Sequence, residues 1–314
     1  MHLPVLLNVE VLMLPSFTME SMLQAVVEHQ ITDLLLVPPI VIRLVHDSVT
    51  SQYDLSHITK FTCGAAPLSG ELLQKLQAKF PHTGFKQGYG MTESCSCIAT
   101  HPMDKQSYGY ANRAGTIVAN TDVKIINVDS GRELGYNEPG EILARGPQVV
   151  MGYLNNEIAT RETFDRDGWL HTGDVGYIDR EGFITITDRI KEMIKVKGIG
   201  VSPAEIEDLL LGHAAVADAA VTPVPEDYSG ERPKAYVVVK ADPRKTLNEA
   251  ALVELGRQII QYVQERKVRH KWIVEVEFVD EVPKSASGKI LRRTLRDKNA
   301  AKGLVVHEKV QAKL

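Results

Sequence analysis

The chain has 314 residues, 44% of them apolar, which is enough for packed cores and, at roughly 150 residues per domain, for about two domains. Its 36 basic and 40 acidic side chains lack the basic excess of a nucleic-acid-binding protein. Three cysteines, Cys63, Cys95 and Cys97, are too few for a disulfide framework and fit a reducing compartment, and Cys95-Ser96-Cys97 has no second pair to complete a zinc site.

The opening "MHLPVLLNVEVLMLP" lacks the basic start of a leader and is interrupted by Pro4, Asn8 and Glu10, so it reads as a buried strand. No apolar run approaches the roughly 18–20 residues of a membrane helix. Leu23, Val26, Val27 and Gln30 follow helical spacing. "TDLLLVPP" is an all-apolar run closed by Pro38-Pro39, the pattern of a parallel strand buried on both faces. "ITKFTCGAAPLSG" predicts a strand, a turn and a helix capped by Ser69 with Leu72, Leu73 and Leu76 on one side. "FKQGYGMTES" predicts a further strand running into a loop. This β/α alternation implies an open parallel sheet over residues 1–106. Over 107–187, "TDVKIINVDSGREL", "GEILARG" and "GFITITDR" predict short strands with Gly turns, a small antiparallel barrel or sandwich. From 188 to 314 the pattern is α+β. Ser202, Pro203 and Glu205 spell an N-cap, first position and capping box, and Ile206, Leu209 and Leu210 form a stripe ended by Gly212. "AYVVVK" and "WIVEVEFV" read as strands flanking a helix marked by Leu252, Leu255, Ile259 and Val263.

Five stretches carry candidate chemistry. "GAAPL" (64–68) puts small residues at the carboxyl end of a strand, where ligands bind in open parallel sheets, although an ordinary turn has the same composition. "QGYGMTE" (87–93) brackets Tyr89 with glycines, freeing a ring face for stacking, and supplies the Thr92 hydroxyl and a hard oxygen ligand in Glu93; a loop with a helix cap is the plainer reading. In "GWLHTGDVGYID", Asp174 can accept two hydrogen bonds from a ribose diol or make an Asx turn, and His171 reads as structural. "ITDRIKEMIKVKGIGVSP" sets Arg189, Lys191, Lys195 and Lys197 ahead of Gly198 and Gly200, where a solvated edge is the alternative to a ligand loop. In "PKSASGKILRR", Lys289 follows the small Ser287-Gly288 pair, an arrangement suited to a cation on a loop that moves.

In this order and spacing the five stretches resemble the adenylate-forming superfamily, and within it the 4-coumarate-CoA ligase and firefly luciferase-like acyl-CoA synthetases. The resemblance spans essentially the whole chain. It implies a parallel α/β part, a small β-barrel and a separate α+β lid. It also implies activation of a carboxylic acid, aromatic or of medium chain length, by ATP and Mg²⁺ to an acyl-adenylate, followed by transfer to coenzyme A. Catalytic roles then fall to Lys289, which bridges acid and phosphate oxygens, to Lys195 in the thioester step, to Thr92 at the α-phosphate and to Glu93 as the Mg²⁺ ligand. The nucleotide is lined by Gly64, Ala65, Ala66, Gly88, Gly90 and Met91, with Tyr89 stacked on adenine, Asp174 on the ribose, and Ile186, Arg189 and Lys197 nearby. Lys191 matches the hinge of the lid, and Gly198 lies beside the pantetheine after rotation. Two departures stand out. Gly200 occupies a place where many relatives carry glutamine, and no "TSGTTGxPKG"-type phosphate loop occurs in the 314 residues. Weak binding of the β- and γ-phosphates is therefore expected, and a nucleotide-binding remnant or an enzyme loading a carrier protein are the competing readings. The terminal Ala312-Lys313-Leu314 is a close variant of the S-K-L peroxisomal address, implying a peroxisomal import receptor as partner.

Overall fold

A computed structural model describes residues 6, 8–64, 68–240, 248–285, 288–296 and 304–308. Helix α1 (Met19–Glu28) starts at Thr18, whose hydroxyl accepts the Ser21 N–H (3.0 Å) while the Ser21 hydroxyl accepts the Thr18 N–H (3.1 Å). This is a capping box with serine in the usual Glu/Gln position. Leu23 and Val26 are buried as expected, but Gln30 lies past the helix end with φ +50°. Strands β1 (Asp33–Leu36), β2 (Lys60–Cys63) and β3 (Gly84–Met91) pair in parallel, linked by α2 (Pro38–His46) and α3 (Gly70–Lys79). Pro38-Pro39 start α2, and Ser69 caps α3 by accepting the Leu72 N–H at 3.2 Å.

Two expectations for this part need correction. The described N-terminal residues from Asn8 to Phe17 form no strand; Asn8 takes a left-handed φ of +50°, and Val9, Val11 and Met13 are exposed. Strand β1 is also not buried on both faces: Leu34 and Leu36 are buried but Leu35 is 81% exposed, because no described element covers it there.

The two halves of β3 have different neighbours. Gly84–Gln87 pairs in parallel with β2, and Gly88–Met91 pairs antiparallel with β4 (Ser96–Thr100). This joins the parallel strands to β5 (Gly115–Ile117), β6 (Asp122–Ile126), β7 (Gly140–Arg145), β8 (Leu170–Ile178) and β9 (Phe183–Arg189) in one sheet of order β1-β2-β3-β4-β5-β9-β8-β7-β6. The pairing ends at β6 without returning to β3, so among the described residues the expected barrel is an open antiparallel extension. Separate cores serve the two ends, one around Leu23, Phe61, Leu76 and Phe85, the other around Tyr89, Ile98, Ile142 and Ile184.

A second sheet begins five residues after β9. It runs β11 (Ile199–Val201), β10 (Ile194–Val196), β13 (Gly230–Val239), β14 (Glu275–Phe278), β15 (Val305–His307), with β12 (Val216–Glu226) also on β13. Helices α5 (Pro203–Leu211) and α6 (Glu249–Arg266) cover it and share its core through Ile206, Leu210, Ile259 and Val263. Ser202 caps α5, accepting the Glu205 N–H at 3.2 Å. The other half of the expected box is replaced, because the Glu205 carboxylate instead receives Lys267 (2.7 Å) and Lys271 (2.6 Å).

Arg292 opens the short helix α7 (Arg292–Arg296) and donates to both oxygens of the buried Glu207 at 2.8 Å and to Glu192. One guanidinium thus serves two carboxylates. Burial pushes Glu207 up to about 7, against the pull of Arg292. Because the folded protein holds this proton more tightly than the unfolded chain, the contribution to stability is full below the ordinary glutamate value of 4.5 and is lost as pH rises to about 7. Urea denaturation between these pH values should show wild-type stability falling relative to Glu207→Gln; parallel pH profiles would contradict this assignment.

Candidate active site

The site forms where β3, β8 and β9 meet. Asp174 on β8 and Arg189 at the end of β9 are register partners, and Arg189 Nε donates to Asp174 Oδ1 at 3.0 Å. Tyr89 on β3 donates its hydroxyl to Asp174 Oδ2 at 2.8 Å. Asp174 is 4% exposed, and its backbone N–H donates to Thr172 Oγ1 (3.1 Å), which donates to the Ile142 carbonyl (2.7 Å). Burial pushes the Asp174 carboxyl above its usual range, opposed by Arg189, Tyr89 and the charge of Lys289. The charge of Lys289 is therefore felt at Asp174, although no ion pair among the described residues joins them.

The Lys289 loop is a small hairpin. Lys284 and Ile290 bridge antiparallel, Ser285 N–H donates to the Lys289 carbonyl (2.9 Å), and Lys289 N–H donates to Ser285 Oγ (3.2 Å). Gly288 has φ +85°, and a Cβ there would lie 2.6 Å from Pro39 Cδ at the start of α2. The loop thus rests on the parallel part of the first sheet while its lysine stays exposed.

Residues 87–93 differ from the expectation in one respect. Tyr89 has no open face: it is 9% exposed, packs into the core with Ile98, Ile142 and Ile184, and burial pushes its phenol up. The expected stacking of Tyr89 on a purine is therefore not available in this arrangement, and the exposed surface is the backbone of Gly88 and Gly90. The two glycines have different causes. A Cβ on Gly90 would sit 1.5 Å from the Ser96 carbonyl, because β4 crowds the bulge there, whereas one on Gly88 would meet nothing nearer than Cys97 Sγ at 3.5 Å. Met91 is half-buried, and its N–H donates to Ser94 Oγ at 3.1 Å. Thr92 is exposed and opens the single 3₁₀ turn Thr92–Ser94 that holds Glu93. Glu93 Oε1 accepts the Tyr153 hydroxyl at 2.6 Å, and the Glu93 carbonyl accepts the Val150 N–H at 2.9 Å. That hydrogen bond raises the Tyr153 phenol above its ordinary value.

Gly64 ends β2, its N–H on the Leu36 carbonyl at 3.3 Å; Ala65 and Ala66 lie outside the described residues, as does Ala312-Lys313-Leu314. Cys63 beside it is buried, which pushes its thiol up to about 12 and leaves it protonated. Ile186 is half-buried on β9 opposite Gly176. His171 contacts the Glu141 carboxylate through Nδ1 at 3.1 Å.

The linker follows Arg189 directly. Ile190 N–H donates to the Gly173 carbonyl (2.8 Å), Glu192 and Met193 N–H return to the Arg189 carbonyl, and Lys191 is exposed. Lys197 (φ +52°) and Gly198 (φ +78°) are the two residues of the tight β10–β11 turn, a backbone shape that favours glycine. The Lys197 ammonium lies 3.9 Å from the Tyr228 ring centroid, and Lys195 is exposed with its N–H on Glu231. No hydrogen bond or ion pair among the described residues joins Lys195, Lys197, Gly198 or Lys289 to Asp174, so hydrogen bonds gather Tyr89, Asp174 and Arg189, with Lys289 acting on Asp174 through its charge alone. A Cβ on Gly200 would press only on the flexible end of Met193, 2.6 Å away.

Sequence reasoning missed Tyr153. It follows Gly152 in "GYLN" and reaches Glu93 from 60 positions away, a pairing no local spacing could reveal.

A buried carboxylate held between phenol and guanidinium, beside the exposed glycine backbone of β3, is an arrangement that can take a polar ligand. Comparison with known proteins identifies the family. Residues 1–154 match the AMP-binding enzyme family and residues 205–289 the AMP-binding enzyme C-terminal domain. The chain is 43% identical over 297 residues to 4-coumarate–CoA ligase 2 of Oryza sativa, covering 93% of this chain and 50% of that protein. Identity to 4-coumarate–CoA ligase 1 of Glycine max is 42% over 297 residues, covering 93% and 97%. The structure of o-succinylbenzoate CoA synthetase from Bacillus subtilis in complex with its acyl-adenylate intermediate superimposes with a TM-score of 0.77 at 30% identity, over 94% of this chain and 57% of that one. The chain belongs to the AMP-binding, adenylate-forming enzyme family, among the relatives of the 4-coumarate–CoA ligases, and it spans about half the length of several curated relatives that it matches.

Gly90→Ala should cost about 3 kcal/mol or more, while Gly88→Ala should stay within about 1 kcal/mol. Urea midpoints measure both, and equal costs would contradict the strand-crowding explanation of Gly90.

Proposed function

We propose that the chain takes part in activating a carboxylic acid with ATP and Mg²⁺ and in passing the acyl group to coenzyme A. The observation that carries this reading is the Tyr89–Asp174–Arg189 cluster on the large sheet, with the Lys289 hairpin resting against Pro39 of the same part of the chain. Asp174 accepts the ribose hydroxyls on the lone pairs left after Oδ1 has taken Arg189 and Oδ2 the Tyr89 hydroxyl. The Gly88–Gly90 backbone lets the base and ribose approach closely. Thr92 donates its hydroxyl to the α-phosphate, and Lys289 stabilises the charge shared between the attacking carboxylate and that phosphate. The carboxylate oxygen forms the bond to the α-phosphorus and pyrophosphate leaves; the thiol of coenzyme A then attacks the acyl carbon and AMP leaves.

A single carboxylate, Glu93, fits Mg²⁺, which takes most of its ligands from phosphate and water and would neutralise phosphate charge. The lid turns about Lys191 between the two steps, so that Lys195 and Gly198 replace Lys289 at the cleft. The acid is aromatic or of medium chain length, the aromatic choice being in keeping with the 4-coumarate–CoA ligases among the relatives. Import into peroxisomes rests on Ala312-Lys313-Leu314 alone. A second reading is nucleotide binding without adenylation, resting on the same Tyr89–Asp174–Arg189 cluster.

Titration calorimetry should detect AMP binding to the wild-type chain and a loss of about tenfold or more in Asp174→Ala, the scale of hydrogen bonds to a charged group. Absence of AMP binding would overturn both readings. Pyrophosphate release with a panel of carboxylic acids supports the enzyme; none with any acid, alongside intact AMP binding, supports the second reading.

A further inference from the structure

The Tyr153–Glu93 contact is not used by the reading above, and it is built rather than incidental. Tyr153 sits on the 146–156 loop, 60 residues from Glu93, and two bonds tie that loop to the Glu93 turn: hydroxyl to Oε1 at 2.6 Å, and Val150 N–H to the Glu93 carbonyl at 2.9 Å. Tyr153 is itself held from behind. Its N–H donates to Thr160 Oγ1 at 2.9 Å, and its ring lies 6.2 Å from that of Phe164. Thr160 belongs to the short helix α4 (Glu157–Thr163), capped by Asn156 through the Ala159 N–H at 3.1 Å. Gly152 has φ +149° and leaves no room for a Cβ, which would meet Thr160 Cγ2 at 2.5 Å. The phenol is thus aimed at one oxygen of one carboxylate, and Oε2 makes no hydrogen bond among the described residues.

A carboxylate with one oxygen taken by a donor presents the other as a single-point ligand. Mg²⁺ accepts this, since its small octahedral shell uses carboxylates one oxygen at a time, whereas Ca²⁺ commonly takes carboxylates through both oxygens at longer distances. We propose that Tyr153 is a specificity-determining residue: by occupying Oε1 it confines Glu93 to single-oxygen coordination and so favours Mg²⁺ over Ca²⁺ as the cation that accompanies the nucleotide. The inference rests on the reading that Glu93 is a cation ligand.

The test is calorimetric titration of the full chain with ATP, with Mg²⁺ or Ca²⁺ as the only divalent cation, and with AMP in a chelator. Wild type should bind ATP more tightly with Mg²⁺ than with Ca²⁺. Tyr153→Phe, which removes only the hydroxyl, should shrink that preference by about tenfold, the scale of one hydrogen bond to a charged group, and leave metal-free AMP affinity unchanged. Glu93→Gln should remove the cation dependence altogether. An unchanged preference in Tyr153→Phe, with the dependence lost in Glu93→Gln, overturns the role of Tyr153 alone, as does a matching loss of AMP affinity in Tyr153→Phe. Cation dependence that survives Glu93→Gln, or that is missing from wild type, overturns the assignment of Glu93 and this inference with it.

Discussion

The cleft depends on a buried carboxylate that must not go unpaired. An ionised group as enclosed as Asp174 is costly unless charge and hydrogen bonds compensate it. Here the compensation comes from Tyr89 on β3 and from Arg189 on β9, the strand paired with β8. Meeting both requirements fixes three strands relative to one another at the level of single side chains. It also explains why Tyr89 is drawn into the core: the phenol must reach Asp174, so its ring is covered, and the surface left to a ligand is the glycine backbone beside it.

The same strand end connects the large sheet to the lid. Successive residues of a strand point to opposite faces. Arg189 turns to Asp174, while Asp188 Oδ2 accepts the N–H of Ala204 (3.3 Å) and the hydroxyl of Ser202 at the start of α5. The linker then folds back on Arg189 and Gly173, and Arg292, three residues beyond Lys289, bonds Glu192 of that linker. Arg189, the start of α5 and the segment that follows Lys289 are therefore joined through one short stretch of chain. A rotation about Lys191 would leave the Asp174–Arg189 pair intact while carrying Lys289 away.

Much of this was legible in the sequence. The β/α alternation, the Ser69 and Ser202 caps and the α6 stripe follow from local rules, since each depends on residues three or four positions apart. Asp174, Arg189 and Lys289 were readable through motifs in a fixed order. What was not readable depended on distant neighbours. Leu35 belongs to an apolar run, but its exposure follows from the lack of a described element packed over it. Glu205 has the spacing of a capping box, but two lysines more than 60 positions away compete for its carboxylate. Gly88 and Gly90 look alike in sequence, yet only Gly90 is demanded by packing. The open antiparallel extension in place of a barrel follows from which strands pair, and strand periodicity does not carry that information.

The central claim is that the Asp174 cluster and the Lys289 loop form the two walls of one nucleotide cleft. It is tested most directly by following backbone and side-chain NMR signals during a titration with AMP. The account predicts perturbations concentrated at Gly88–Met91, Asp174, Arg189 and Lys289, with the Lys197–Gly198 turn little affected. Perturbations confined to that turn, or scattered without Asp174 and Lys289 among them, would contradict it.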